Sequence, residues 1–187
     1  MADMPLPKLP GVRFESVPMP ALDWALSAYY VISSCEASSN LARYDGVRYG
    51  HRAKAETLAE MYLSSRSEGF GPEVKRRIML GSYCLSAGHY DRYYHKAQKA
   101  RQMIRAEFDR LFEGYDALLC PVSPVAPWPL GQNISPVERY RSDLYTVPAS
   151  LAGLPALAVG NVQFIGPAHS EALLYQLGAA AQEAGAC

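Results

Sequence analysis

Arg77 closes the basic run Lys75-Arg76-Arg77 and stands one position before Ile78, in a stretch whose apolar residues recur at helical spacing. Three charges neutralise few phosphates, so the run reads as a solvated helix face rather than a nucleic-acid site. Arg77 differs from its neighbours because Val74 and Ile78 set the apolar stripe beside it. A guanidinium drawn against apolar surface requires an anion, which makes Arg77 the cation to single out. Asp143 precedes the apolar run Leu144–Val147. It is either a helix or turn cap or a buried carboxylate facing an ammonium, and both readings stay open. Tyr29-Tyr30 reads as core aromatic rather than ligand contact.

Metal chemistry is not expected. His51, His89, His95 and His169 share no ligand spacing, and Cys35, Cys84, Cys120 and Cys187 form no CxxC pair. The thiols are expected to be buried and reduced. GxSxG, HExxH, P-loop and GxGxxG motifs do not occur.

The scaffold for these residues is a globular one. Of 187 residues, 49% are apolar and 19% charged, which suits one ordinary soluble domain. The net charge of zero gives no support for whole-surface attraction to nucleic acid or acidic membranes. No apolar run is long enough to span a bilayer, so no membrane partner is expected. Met1–Pro10 is Pro-rich, lacks an apolar signal core and is expected to be loose.

The dominant element runs from Glu73 to Glu113. Gly71-Pro72-Glu73 supplies a turn, a first-turn proline and a first-turn acid. Val74, Ile78, Leu85, Tyr90, Tyr94, Ala97, Arg101, Ile104, Phe108, Leu111 and Phe112 make its apolar stripe, with a break expected at Ser86-Ala87-Gly88. Gly114 ends it, and Tyr115–Pro121 reads as a short buried strand. Before it, the alternation Val12–Val17 reads as a half-buried strand. Asp23 is expected to cap a helix with Leu26, Tyr29, Tyr30 and Ile32 on its apolar face. Asp45-Gly46 marks a turn, and a short helix starts at Ala55 or Thr57 and ends near Arg66. Downstream, Pro121–Pro129 is an extended connector, and Ser135-Pro136-Val137-Glu138 starts a short helix. Ala156–Val159 and Val162–Gly166 form a hairpin about Gly160-Asn161, and Ser170–Glu183 is the last helix.

The segments EASSNLARYDGVRYGHR, RSEGFGPEVKRRIMLGSY, LSAGHYDRYYHKAQKAR, YDALLCPVSP and DLYTVPASLAGLPAL resemble one family. It is the A-subunit family of glutamyl-tRNA(Gln) and aspartyl-tRNA(Asn) amidotransferases, within the amidase-signature superfamily. The likeness runs from Leu22 to Leu157 and covers the carboxy-terminal portion of such a protein. It implies an α/β fold: a single partial amidase-signature domain over residues 1–187, with helices packed on a fragment of a mixed sheet.

The resemblance also implies function. In that family a Lys–Ser–Ser triad, held in a Gly/Ser-rich signature, hydrolyses the side-chain amide of glutamine. The ammonia passes to a partner subunit that uses ATP and magnesium to amidate a mischarged tRNA. This chain has no such signature, and Ser33-Ser34, Ser38-Ser39 and Ser64-Ser65 lack its flanking glycines. No catalytic residue and no cofactor is therefore expected in the chain itself, which alone is expected to be inactive. By the family's pattern Arg77 binds the carboxylate of glutamine, Asp143 its ammonium, and Tyr29 contacts it. Tyr30 takes that place if the register shifts by one. The implied partners are glutamine, the other amidotransferase subunits and, through them, tRNA, in the cytoplasm or an organellar matrix. The alternatives are a complementing half and a non-catalytic module that docks on those subunits. A sheet without its neighbours is expected to leave open edges.

Overall fold

The computed structural model describes residues 6–185. Cys187 and the start of Met1–Pro10 lie outside them. In chain order it contains α1 (Ala25–Leu41), α2 (Leu58–Gly69), α3 (Pro72–Leu85), α4 (Lys96–Phe112), β1 (Leu118–Pro121), α5 (Pro136–Arg141), α6 (Val147–Ala152), β2 (Ala156–Val159), β3 (Val162–Ile165) and α7 (Glu171–Glu183). A 3-10 turn, Pro20–Trp24, precedes α1, and a π-helical turn, Asp91–His95, precedes α4. The described chain divides into two compact units. One joins the residues up to Ser27 with those from Lys99 onward; the other is Ala28–Gln98.

The first unit is built on a sheet of order β1-β3-β2. Both pairings are antiparallel, with Leu119 and Leu157 flanking Phe164. The expected helices on a sheet fragment are present, and this fragment holds only antiparallel pairs. The hairpin forms at Gly160-Asn161 because Gly160 takes φ +58, a left-handed value glycine adopts without strain. Val162 and Phe164 share a face that packs with Leu174 and Ala181 of α7, and Leu9 joins that core at 6% exposure. Leu9, within the start expected to be loose, is buried.

On the other face the buried Gln163 amide donates to the Tyr145 carbonyl at 2.7 Å. There the sequence reading missed α6. Val147, Pro148, Ala149, Leu151 and Ala152 are all buried and only Ser150 is exposed, so this six-residue helix is too short and too apolar to show a 3.6-residue rhythm. Its usable signals were Pro148 in the first turn and Gly153, left-handed at φ +66, at the end. Arg101 and Arg105 donate to the Leu151 and Ala152 carbonyls at 2.8 and 2.6 Å, which satisfies the exposed end of α6.

Two expectations near the amino terminus are corrected. Val12–Val17 has no regular secondary structure and joins no ladder. Its fixed point is a side-chain bond, Tyr115 Oη to Glu15 at 3.0 Å, and Pro18 and Pro20 beyond it lack the N–H groups that strand pairing needs. Asp23 is not a cap; it sits inside the 3-10 turn, whose cap position is Met19.

In the second unit α1 buries Ala28, Ile32, Cys35 and Ser38, while Tyr29 and Tyr30 are only half-buried; Leu26, at the start of α1 in the first unit, is half-buried as well. Thr57, one of the two starts considered, caps α2 in a reciprocal box with Glu60, and the helix runs on to Gly69. The break between α3 and α4 falls where expected, with Gly88 at φ +86. The π turn follows at once: His95 N–H bonds back five residues to the Tyr90 carbonyl.

Candidate functional site

Arg77 is on α3, one turn after Glu73. Its Nε donates to Glu73 Oε1 at 2.8 Å, and its side chain is 33% exposed. The anion demanded by its half-burial is therefore an acid on its own helix. That hydrogen bond holds the Glu73 carboxyl below the ordinary carboxylate range and pushes the guanidinium pKa up. Tyr30 of α1 lies under the guanidinium, 5.8 Å from ring centroid to Cζ, and Tyr29 meets Tyr30 edge-to-face at 5.2 Å. Among the described residues, neither terminal nitrogen of Arg77 has a hydrogen-bond partner. Glu73 and Tyr30 thus fix the plane of the fork while its two outer nitrogens keep donors for a second carboxylate.

Asp143 is in the other unit, at the turn between α5 and α6. Its backbone carbonyl accepts the Val147 N–H at 3.1 Å and the Thr146 hydroxyl at 3.3 Å; its carboxylate accepts from Ser142 Oγ at 3.4 Å. The side chain is half-buried, so it combines a turn role with a carboxylate held at the protein surface. The structure thus joins Arg77 to the tyrosine pair within one unit and sets Asp143 on a helix-helix turn within the other.

Two serines of these pairs, Ser38 and Ser65, have structural partners, and the buried Ser33 hydroxyl has none among the described residues. Ser38 Oγ meets Ser82 Oγ at 2.9 Å, and Ser65 Oγ accepts the Ala53 N–H at 3.0 Å. Cys35 and Cys84 are buried and Cys120 is half-buried; desolvation raises all three thiol pKa values, those of Cys35 and Cys120 to about 11. Among the described residues no three His, Cys, Asp or Glu side chains converge as a metal site, and no helix is long and apolar enough to cross a membrane. An aromatic group that sequence reasoning passed over lies beside the π turn. The His89 ring stacks on Tyr83 at 4.2 Å, with Tyr93 5.9 Å from Tyr83. Its signal was the density of rings in His89-Tyr90-Asp91-Arg92-Tyr93-Tyr94, whose faces a π turn rearranges.

The family profile described as Amidase matches residues 6–174. The chain belongs to the amidase family. This amidase chain is 47% identical over 177 residues to the A subunit of glutamyl-tRNA(Gln) amidotransferase from Halothermothrix orenii, which spans 89% of this chain and 37% of the relative. It is 56% identical over 151 residues to the protein of the same name from Symbiobacterium thermophilum, spanning 80% of this chain and 31% of that one. The crystal structure of the Thermotoga maritima counterpart superposes with a TM-score of 0.58 at 33% identity, covering 88% of this chain and 33% of that protein. An amidase crystal structure at 24% identity shares the fold at a TM-score of 0.64. The amidase chain thus spans about a third of the length of the relatives it matches.

Proposed function

We propose that this chain is the carboxy-terminal, glutamine-recognising portion of the glutaminase component of a tRNA-dependent amidotransferase. The observation that carries this is its 47–56% identity to amidotransferase A subunits over most of its length. Glutamine differs from other amides by its α-carboxylate and α-ammonium. Arg77 answers the first with a fork already oriented by Glu73 and Tyr30. Asp143 answers the second, and Tyr29 borders the bound amino acid.

The attacking hydroxyl and its lysine relay belong to the remaining two thirds of the relatives' length. In that assembly substrate binding presents the side-chain amide to the nucleophile. ATP and magnesium act at the partner subunit, tRNA is reached through it, and the setting is the cytoplasm or an organellar matrix.

The test is ammonia release from glutamine, measured for the purified chain and for the chain produced together with the unmatched portion of the Halothermothrix orenii protein. Activity is expected only in the second case. Turnover by the chain alone overturns the division of labour. A pair that copurifies without activity supports a docking module instead.

A further inference from the structure

β3 is the central strand of the sheet, and Gln163 stands in it between Cys120 of β1 and Ala158 of β2. It is 3% exposed, and among the described residues of the first unit no other polar or charged residue is buried. An amide taken out of water needs partners that replace its lost hydration. Gln163 Nε2 donates to the Tyr145 carbonyl at 2.7 Å, and its second N–H is shared between the Pro121 carbonyl and Cys120 Sγ, both at 3.3 Å. Two of these acceptors are carbonyl oxygens, so turning the amide over would set oxygen against oxygen. An apolar side chain of the same length would fill this space and leave the Tyr145 carbonyl without that donor. Packing alone therefore does not account for an amide here; what it holds does.

What it holds is the turn between α5 and α6. The Asp143 carbonyl accepts the Val147 N–H at 3.1 Å and the Thr146 hydroxyl at 3.3 Å, so residues 143–147 close one turn with Tyr145 at its middle. Connecting turns are the more mobile parts of a fold, whereas β3 is paired along both edges. The hydrogen bond from Gln163 refers the position of the turn, and with it the Asp143 carboxylate, to that paired strand. A charged group meets its ligand in a fixed geometry only when the backbone under it is held in this way.

We propose that Gln163 is a positioning residue for substrate recognition: its buried amide ties the Asp143 turn to the central strand and so holds the carboxylate that receives the α-ammonium of glutamine. The role rests on the reading of Asp143 given above. It acts on one end of the substrate, so it separates glutamine from an amide that lacks the ammonium.

The experiment uses Gln163→Met, which fills similar space without a donor, and Gln163→Glu. Both are made in the chain produced together with the unmatched portion of the Halothermothrix orenii protein, and ammonia release from glutamine is measured. The probe is 4-carbamoylbutanoate, which is glutamine without its α-ammonium, read as a competitor. Gln163→Met is expected to raise KM for glutamine about tenfold while kcat and the Ki of the probe stay within about twofold. An equal loss for both compounds, or an unchanged KM, overturns the role. Gln163→Glu keeps a donor only while its new carboxyl is protonated, the form that burial favours. Its KM, relative to that of Gln163→Met, is expected to fall between about pH 8 and about pH 6; a constant ratio overturns the hydrogen bond's part.

A second measurement needs no activity. In the full chain alone, amide exchange at Val147 is expected to be about tenfold faster in Gln163→Met, with residues 162–165 unchanged. Unchanged exchange at Val147 overturns the positioning and leaves the amidotransferase reading standing. Faster exchange in a pair that releases no ammonia from glutamine overturns that reading, and the recognition role with it. Loss of the far-ultraviolet CD spectrum in both variants also overturns the proposal, since the amide then supports the whole sheet rather than one turn.

Discussion

Gly81 and Ser34 approach so closely that a β-carbon on Gly81 would stand 2.1 Å from the Ser34 carbonyl oxygen. The same atom would meet Ser38 Cβ at 2.7 Å. Both neighbours belong to α1, so α1 and α3 touch nearly backbone to backbone. Cys35 Sγ, 3.9 Å from the Gly81 carbonyl, and the Ser38–Ser82 hydroxyl pair complete the seam.

Gly81→Ala forces that seam apart. Backbone cannot yield as a flexible side chain does, so the variant should lose about 1–3 kcal/mol in chemical denaturation. Gly114→Ala is the control. Nothing lies within 4 Å of its β-carbon position, and its φ is not left-handed. It should be neutral, or stabilised by about 0.4–1 kcal/mol through the unfolded chain.

The thiols give a second prediction. Burial raises Cys35 to about 11 from an ordinary 9.0, a difference of two units. Its thiolate is therefore about 100-fold scarcer at neutral pH than that of a free cysteine. Alkylation with peptide mapping should leave Cys35 and Cys84 unmodified in the native protein and label them on unfolding. Rapid native labelling of Cys35 would contradict the packing described.

The acid limb of stability should carry the Glu73–Arg77 pair. The folded-state carboxyl is depressed below 4.5, chiefly by the Arg77 hydrogen bond. Its contribution is complete above the unfolded value and lost as pH falls through the depressed folded one. Glu73 is 51% exposed, so the effect is below about 1 kcal/mol. Wild type and Glu73→Gln should differ in Tm by a constant amount from pH 6 to 8 and converge on acidification below about 4.

Arg77→Lys removes the planar fork and keeps the charge. In the complemented amidase it should raise KM for glutamine about ten- to a hundredfold, because charge-assisted hydrogen bonds contribute about 1.5–3 kcal/mol. Asp143→Asn should do the same at the ammonium end. Steady-state ammonia release checks both; an unchanged KM in either removes that residue from substrate recognition.

The elements legible in the sequence were those whose signals are local. Pro72 and Glu73 start α3, Gly88 breaks the long helix, Thr57 caps α2, Ser135 and Glu138 close a capping box on α5, and Gly160-Asn161 turns the hairpin. The elements set by tertiary partners were not. Val12–Val17 alternates like a strand, yet β1 does not pair with it. α6 exposes only Ser150 over six residues and has no rhythm to read. α1 buries its small residues rather than its tyrosines because Gly81 lets a second helix come close, and one glycine in a helix carries no periodic signature. Around Arg77, the helical face pointed to a half-buried cation but not to its anion, Glu73, which lies four residues back on the same helix.

The five-residue hydrogen bond from His95 to Tyr90 puts the residues on its two sides one position out of α-helical phase. One surplus residue per turn amounts to about 100° of rotation, since an α-helix advances that much with each residue. A stripe counted without interruption from Val74 to Phe112 crosses both this turn and the break at Gly88, so it is not one helical face. Excising a single residue from Asp91–His95 would wind that turn back to ordinary α and change the bearing of Tyr90 relative to Lys96, so the spacing of this segment is fixed by length as firmly as by side-chain identity.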